Sequence, residues 1–306
     1  MNQKSETVVF FGSGPVGAKC LELLTKNFTV EAVITKPKSL NHKGDVPVIS
    51  TAKQLNVPTF TVSTKQELNN LMSATTFQSN LAILIDFGII VTLEVIEYFK
   101  LGIINSHFSL LPRWRGADPI SFSILNGDKK TGVSLMLIDE GLDTGKLIAQ
   151  KSLKLDTATT TPELTQSLIA LSDQLLQDYI PKYIVGKIKP KAQPHPERAT
   201  YSKKLVKTDG KIDWSKPAQQ IQQQVRAFLG WPGSYTNIFN KDVILLDVTD
   251  TRNNNFGEIG EIQVNKALGT LEVQCGSGTI FVNKLKPASK NEMTIKNFLS
   301  GYYKKD

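Results

Sequence analysis

Two polar side chains that could do chemistry lie two residues apart at the end of an apolar run. Asn105 and His107 follow "LGII" (101–104). If residues 101–109 form a β-strand, its period of two places both side chains on one face. Open α/β sheets place their binding sites at the carboxyl ends of their strands. We therefore predict an amide donor and a titratable imidazole at one site, although a core histidine beside a capping asparagine fits the spacing equally well.

A carboxylate follows in a glycine-flanked turn, "EGLDTG" (140–145), which contains Asp143. An aspartate in such a turn is, taken alone, typical of local backbone capping. Asn, His and Asp at the ends of neighbouring strands would instead supply an amide donor, a titratable imidazole and a carboxylate to tune it. No metal site is predicted, because His42 and His195 lie in polar loops far away in sequence and no cysteine cluster is present.

The elements that would position these residues alternate between strand and helix, which favours a parallel sheet. Predicted strands cover 7–12, 29–35, 81–86, 101–109, 131–139 and 145–155, and predicted helices cover 15–27, 50–56, 64–72, 92–100 and 162–186, the last interrupted at Pro181. We expect an α/β fold with a Rossmann-like open, mostly parallel sheet and helices on both faces.

The composition changes after residue 187. Residues 188–204 are rich in proline and basic residues and contain one acid, which is typical of a linker. Beyond them, Ala218, Ile221, Val225 and Phe228 share one face of a predicted helix, and short strands with Gly, Asn and Asp turns follow. We predict a catalytic domain over 1–187, a basic linker over 188–204 and a small OB-like β-barrel domain over 205–306.

The glycine-rich turn "GSGPVG" (12–17) matches the dinucleotide fingerprint G-x-G-x-x-G. The next strand ends at Thr35 without the acid that would hold the ribose hydroxyls. We therefore predict a tight turn and no NAD.

The bulk composition bears on partners and compartment. The net charge of +8 and the pI of about 9.2 favour a polyanionic partner. No apolar run is long enough to span a bilayer. Without a recognisable targeting segment, we expect a cytoplasmic protein with no membrane partner.

Two stretches of the first half carry a resemblance. The segments "NSHFSLLPRWRGADPI" (105–120) and "TGVSLMLIDEGLDTG" (131–145) resemble the N-formyltransferases that use 10-formyltetrahydrofolate, with the pattern N-x-H-x-SLLP-x-x-x-G followed by G-x-D-x-G. In the second half, "RATYSKKLVKTDGKIDWSKPA" (198–218) and "RAFLGWPGSYT" (226–236) are similar to the C-terminal domain of the methionyl-tRNA formyltransferases within that family. The resemblance covers nearly the whole chain. It implies a Rossmann-like domain that binds no dinucleotide and an OB-like domain that contacts tRNA.

The resemblance also implies the reaction. A formyl group would pass from 10-formyltetrahydrofolate to the α-amine of methionyl-initiator tRNA, through a tetrahedral intermediate stabilised by Asn105 and His107, with Asp143 tuning proton transfer. Neither a metal nor an obligate protein partner is implied. An N-formyltransferase that acts on an amino-sugar nucleotide is the alternative.

The implied binding residues form two sets. The folate set is Ser109, Leu110, Leu111, Pro112, Asp86, Phe87, Gly88 and Ile89. The tRNA set is Lys36, Lys38, Lys43, Arg113, Arg115, Lys203 and Lys204. Three features depart from the family pattern: Phe108 replaces a small residue, Asp86 and Asp118 stand where alanine is common, and the loop over 36–48 is less basic.

Overall fold

The computed structural model describes residues 6–38, 44–251 and 255–303. The chain divides into two compact units. The first comprises Met1–Pro119, Lys130–Leu153 and Thr165–Ser202, and the second comprises Ile120–Lys129, Lys154–Leu164 and Lys203–Asp306. Among the described residues, no helix combines the length and the hydropathy that crossing a bilayer requires.

A seven-stranded sheet forms the frame of the first unit. In chain order the strands are β1 (Thr7–Gly12), β2 (Thr29–Thr35), β3 (Thr59–Thr61), β4 (Ala82–Ile85), β5 (Ile103–His107), β6 (Arg115–Gly116), β7 (Lys130–Leu137), β8 (Leu147–Lys154) and β9 (Tyr201–Ser202). The sheet has the order β3-β2-β1-β4-β5-β7-β8, and β6 pairs separately with β9. The pairings from β3 to β5 are parallel, and β7 runs antiparallel to β5.

Six helices accompany these strands in the chain. They are α1 (Pro15–Asn27), α2 (Pro47–Gln54), α3 (Lys65–Ala74), α4 (Leu93–Tyr98), α5 (Pro119–Leu125) and α6 (Thr161–Ile184). Helix α1 begins at a proline, whose fixed φ suits the first helical position. Apolar side chains of β1 and of the loop after β4 form the core, where the ring of Phe11 meets Phe87 and Phe99 edge-on at centroid distances of 5.3 and 6.0 Å.

An antiparallel sheet forms the frame of the second unit. Its elements are α7 (Ala218–Ala227), β10 (Ser234–Ile238), β11 (Lys241–Thr251), β12 (Ile262–Asn265), β13 (Thr270–Gln274), β14 (Thr279–Pro287), β15 (Met293–Thr294) and α8 (Ile295–Tyr302). The strand order is β10-β11-β14-β13-β12, with β15 paired to β14. The predicted apolar face of α7 is confirmed for Ala218, Ile221 and Val225, which lie in one buried cluster with the sheet residues. The fourth predicted member, Phe228, is buried but is the C-cap residue that follows the helix.

The predicted fold class is confirmed: a Rossmann-like mixed sheet with helices precedes an antiparallel-sheet domain. The predicted interruption at Pro181 is wrong, because α6 continues to Ile184. The helix runs on past this proline with one backbone hydrogen bond fewer, because proline has no N–H to donate to the preceding turn. Residues 188–202 fold with the first unit, where β9 pairs with β6. The boundaries at 187 and 204 stay a prediction.

Candidate active site

Strand β5 positions the first two candidate residues. It lies between β4 and β7, and Asn105 faces Met136 of β7 in register while His107 faces Ser134. The two side chains share one face of the strand, as the sequence period predicts. The Asn105 side chain is half-buried and His107 is only 6% exposed, so the imidazole is almost enclosed by protein.

The turn after β7 brings Asp143 to both of them. Asn105 Nδ2 donates to Asp143 Oδ1 over 3.3 Å, and His107 Nδ1 lies 3.6 Å from Asp143 Oδ2. The backbone N–H of Gly116 donates to Asp143 Oδ2 over 2.7 Å. Asp143 itself has a positive φ of 53°, a conformation that non-glycine residues rarely adopt. The structure thus brings the three predicted catalytic residues together, and their roles stay a prediction.

The other ring nitrogen of His107 is already engaged. Nε2 lies 2.8 Å from the carbonyl oxygen of Trp114. A carbonyl oxygen can only accept a hydrogen bond, so Nε2 carries the hydrogen. The nitrogen left for a reacting group is Nδ1, which faces Asp143. His107 can therefore donate to a developing oxyanion only when both ring nitrogens carry hydrogen.

The loop over 109–112 is held from inside by polar contacts. Ser109 is fully buried, and its Oγ donates to the carbonyl oxygen of Arg113. Ser134 Oγ donates to the carbonyl oxygen of Ser109 over 2.6 Å and accepts from the N–H of Leu111 over 3.1 Å. The Leu111–Pro112 peptide bond is cis. The Ser109 hydroxyl therefore supports the loop, and Leu110 and Pro112 are the partly exposed members of this predicted folate segment.

The second predicted folate segment, 86–89, contains one buried and one exposed side chain. Phe87 is 1% exposed and packs in the core, whereas Asp86 is exposed and has φ 53°. Its carboxylate accepts a hydrogen bond from the backbone of Gly14. A Cβ at Gly14 would lie 2.4 Å from Asp86 Oδ2, so this glycine leaves room for the carboxylate. The fingerprint-like turn thus lies against the chain's own acid, consistent with the prediction of a tight turn.

The electrostatics of Asp86 are unusual for a carboxylate at an exposed position. Crowding by protein atoms raises the pKa of Asp86 to about 6; the nearby positive charge of Lys36 opposes this rise and the negative charge of Asp118 adds to it. Solvent reaches part of this side chain, so Asp86 lies at the surface and not in a sealed core. Lys36 lies beside it, with Nζ 2.7 Å from the position that a Cβ on Gly88 would occupy.

The basic residues predicted to contact tRNA differ in exposure. Lys38, Lys203 and Lys204 are exposed, Lys36 and Arg113 are half-buried, and Lys43 lies outside the described residues. The guanidinium of Arg113 lies 4.3 Å from the ring centroid of Trp114.

Arg115 departs from the others in this set because it is 6% exposed. Its Nη2 donates to Gln193 Oε1 over 2.8 Å and its Nη1 donates to Tyr201 Oη over 3.4 Å. The guanidinium is therefore engaged inside the first unit, which favours an internal role over contact with a phosphate.

Residues that the sequence did not single out complete the site. The N–H of Gly116 and the carbonyl oxygen of Trp114 bind the catalytic candidates, and their position inside the 105–120 motif was the available signal. Gln193 binds the Asp143 turn from a segment whose composition indicated only a linker. Within the described part of the chain, no group of three His, Cys, Asp or Glu side chains is arranged to hold a metal ion.

Comparison with known proteins defines the class. Residues 6–180 match the family model described as "Formyl transferase", and residues 204–303 match the one described as "Formyl transferase, C-terminal domain". The chain belongs to the formyl transferase family and is an enzyme of that kind.

Individual relatives narrow the comparison. The chain is 32% identical over 302 residues to a protein of Listeria welshimeri named methionyl-tRNA formyltransferase, covering 96% of this chain and 95% of the relative. It is 31% identical over 310 residues to the Myxococcus xanthus protein of the same name, with the same coverage. Among solved structures, an N-formyltransferase from Helicobacter canadensis has a TM-score of 0.67 and 20% identity, covering 91% of this chain and 99% of that one, which shows the shared fold.

Proposed function

We propose that this chain transfers a formyl group from 10-formyltetrahydrofolate to the α-amine of methionyl-initiator tRNA. The observation that carries the proposal is the meeting of Asn105, His107 and Asp143 in one site of a chain that matches formyl transferases in both halves. Relatives named for this activity cover 96% of the chain. A role in translation initiation would place the protein in the cytoplasm.

The residues around the site fit a folate donor. Exposed apolar side chains stand next to the polar groups in sequence: Ile90, after the predicted folate segment, is 77% exposed, and Leu142, before Asp143, is 61% exposed. Small-molecule sites are lined mostly by apolar side chains, with a few polar groups that fix the orientation of the ligand. When bound, the folate would supply the formyl group and accept a proton on the nitrogen that loses it.

Asn105 and His107 would act on the oxygen of the transferred formyl group. That oxygen gains negative charge as the amine approaches, and donors fixed in place stabilise such charge without reorganising. Asn105 has an amide donor at the site, and His107 has Nδ1 available once that nitrogen is protonated. The Trp114 carbonyl keeps the ring from turning, because it holds the hydrogen of Nε2.

Asp143 would handle the proton that the amine must lose. An α-amine has a pKa near 8, so an appreciable fraction is unprotonated at neutral pH and able to attack. The attacking nitrogen then sheds a proton, and Asp143 is a carboxylate held in place by Asn105 and Gly116. A general base of this kind typically contributes about 10²–10⁴ in rate.

The test is formyl transfer from 10-formyltetrahydrofolate to charged initiator tRNA, run beside a panel of amino-sugar nucleotides. We expect rapid formylation of methionyl-initiator tRNA and much slower reaction with every sugar nucleotide. Uncharged tRNA with free methionine is the matched control for the acceptor.

The amino-sugar alternative has one observation in its favour. The Helicobacter canadensis structure, described as a complex with folinic acid and dTDP-3-aminofucose, shares the fold over most of the chain. Preferential formylation of a sugar nucleotide in the same assay would replace the tRNA proposal with this alternative.

A further inference from the structure

The segment over residues 191–202, here called the strap, crosses the candidate site. It begins by pairing with β8: the N–H of Leu147 donates to the carbonyl oxygen of Lys191 over 2.7 Å, and the reverse bond is 2.9 Å long. It ends in β9, where Tyr201 and Ser202 pair with Arg115 and Gly116 of β6. The strap lies between the two ranges that match the family models, 6–180 and 204–303.

Gln193 is the strap residue that reaches the Asp143 turn. Its Nε2 donates to the carbonyl oxygen of Asp143 over 2.7 Å and to that of Gly145 over 3.0 Å. Both amide hydrogens are therefore used on one turn. Its Oε1 accepts from Arg115 Nη2 over 2.8 Å, which fixes which end of the amide faces the turn. Gln193 is 6% exposed, so water competes little for these bonds.

The turn needs such support because its backbone is strained. Asp143 holds a positive φ of 53°, which persists in a non-glycine residue only when surrounding contacts enforce it. A Cβ on Gly145 would lie 1.7 Å from the carbonyl oxygen of Leu137, so the turn is also tightly packed. Gln193 binds the carbonyl oxygens of the two residues that flank Thr144 and so holds the backbone of the turn on both sides of it.

We propose that Gln193 is a positioning residue for Asp143, held in turn by Arg115. The inference rests on the proposed role of Asp143 in formyl transfer. Gln193 touches neither the reacting atoms nor the carboxylate, and it acts on turnover through the orientation of that carboxylate. The strap then supports the candidate catalytic site through Gln193, in addition to linking the segments that match the two family models.

The experiment compares Gln193→Met and Gln193→Glu with a matched control in the full-length enzyme. Gln193→Met keeps the length of the side chain and removes its hydrogen bonds. Gln193→Glu keeps an acceptor for Arg115 and removes the donors to the turn. The control is Gln224→Met, because buried Gln224 likewise donates from Nε2 to two backbone carbonyls, those of Gly210 and Lys211, each over 3.3 Å.

We expect turnover to fall by about 10²-fold in both Gln193 variants, since misplacing a reacting group by about 1 Å costs that much. The KM values for donor and acceptor should change little, and Gln224→Met should keep its turnover at a comparable loss of melting temperature. In an Asp143→Asn background, Gln193→Glu should cause no further loss, because the group that it positions is already disabled.

Three results would overturn the inference. They are a Gln193→Glu enzyme with near-normal turnover, a loss in that variant that multiplies with the Asp143→Asn loss, and an equal loss in Gln224→Met. If Gln193→Met does not fold, Gln193→Glu alone decides. An active Asp143→Asn enzyme would refute the role proposed for Asp143 and this inference with it, whereas an inactive Asp143→Asn beside an active Gln193→Glu would refute this inference alone.

Discussion

At the scale of single residues, the hydrogen bonds of the site converge on Asp143. One carboxylate oxygen accepts from the Asn105 amide, and the other accepts from the Gly116 N–H and faces Nδ1 of His107. Two donors hold the carboxylate in one place, with the imidazole of His107 beside it. The charge of Asp143, rather than its bulk, should therefore be what catalysis needs.

Asp143→Asn separates charge from shape. We expect turnover to fall by about 10²–10⁴, because the variant cannot accept a proton. Binding of the folate donor should be largely retained, as measured by its KM in steady-state kinetics. The control is Asp139→Asn in the same turn, where an exposed aspartate accepts from the Gly141 N–H and from Thr144 Oγ1. Similar losses in the two variants would assign the effect to turn geometry and not to the charge.

Asn105 and His107 should differ in what their loss does to folding. Alanine at either position should lower turnover by about 10²–10³, the usual effect of losing one oxyanion donor. His107→Ala should also destabilise the fold by about 1–3 kcal/mol, because it removes the buried hydrogen bond between Nε2 and the carbonyl oxygen of Trp114. Half-buried Asn105 should tolerate alanine with little change in melting temperature. Equal melting temperatures for the two variants would contradict this account of His107.

Asp86 predicts a pH-dependent stability. Its pKa is raised to about 6 in the folded protein, above the unfolded value near 4, so folding becomes less favourable as the pH rises from about 4 to about 6. Asp86→Asn removes this penalty and suits the positive φ. The variant should melt higher than the wild type above pH 7, and the gain should vanish below about pH 4. Melting curves across that range test it, and a gain that is constant with pH would exclude Asp86 as the cause.

At the scale of elements, long apolar segments could be predicted from the sequence and short ones could not. The observed bounds of β1, α1 and β2 equal the predicted ones, because a buried parallel strand is a continuous apolar run and α1 begins at a glycine–proline pair. Strands of two residues, such as β6 and β9, form because they pair with a distant segment, so no pattern in the neighbouring sequence predicts them.

The candidate site shows the same division. Strand period and turn position were enough to predict that Asn105, His107 and Asp143 meet. The support from Gln193 was hidden, since its residue type and its proline-rich surroundings are ordinary for a linker. The contact between Gln193 and Asp143 joins residues 50 positions apart, so it depends on the tertiary fold and cannot be predicted from local composition.

Gly116 links the β6–β9 pairing to the site. Its φ is +106°, its N–H binds Asp143, and a Cβ there would lie 2.3 Å from the carbonyl oxygen of Ser202. Gly116→Ala should therefore force β9 away from β6, lower the melting temperature and reduce turnover by about 10²-fold. Gly186→Ala is the matched control, with φ +72° and no atom within 4 Å of the added Cβ. If the two variants behave alike, backbone strain and not the clash is responsible.

At the scale of the whole molecule, the net charge of +8 suits a polyanionic acceptor. The exposed lysines should not contribute equally. Lys203 forms an ion pair with Asp209, and the negative charge of the carboxylate offsets the positive charge of the lysine. Lys204, the next residue, is exposed and presents its positive charge to solvent.

Lys204→Gln should raise the KM for charged tRNA and make the slope of log KM against log salt shallower by about one. Turnover at saturating tRNA should stay the same, because a phosphate contact binds ground and transition states alike. Lys53→Gln, at an exposed lysine of α2, is the control for net charge. An identical salt dependence in the two variants would remove Lys204 from the tRNA-binding set.

The pairing of β9 with β6 also decides where this protein can be cut and recombined. A fragment that stops near residue 187, where the composition changes, would leave the Asp143 turn without Gln193 and the Gly116 strand without its neighbour. In a chimaera joined near residue 187, the residues that make those contacts would come from the other relative. The first junction that preserves them lies after Ser202, so exchange of the C-terminal segment of the second unit, Lys203–Asp306, between relatives should begin at Lys203.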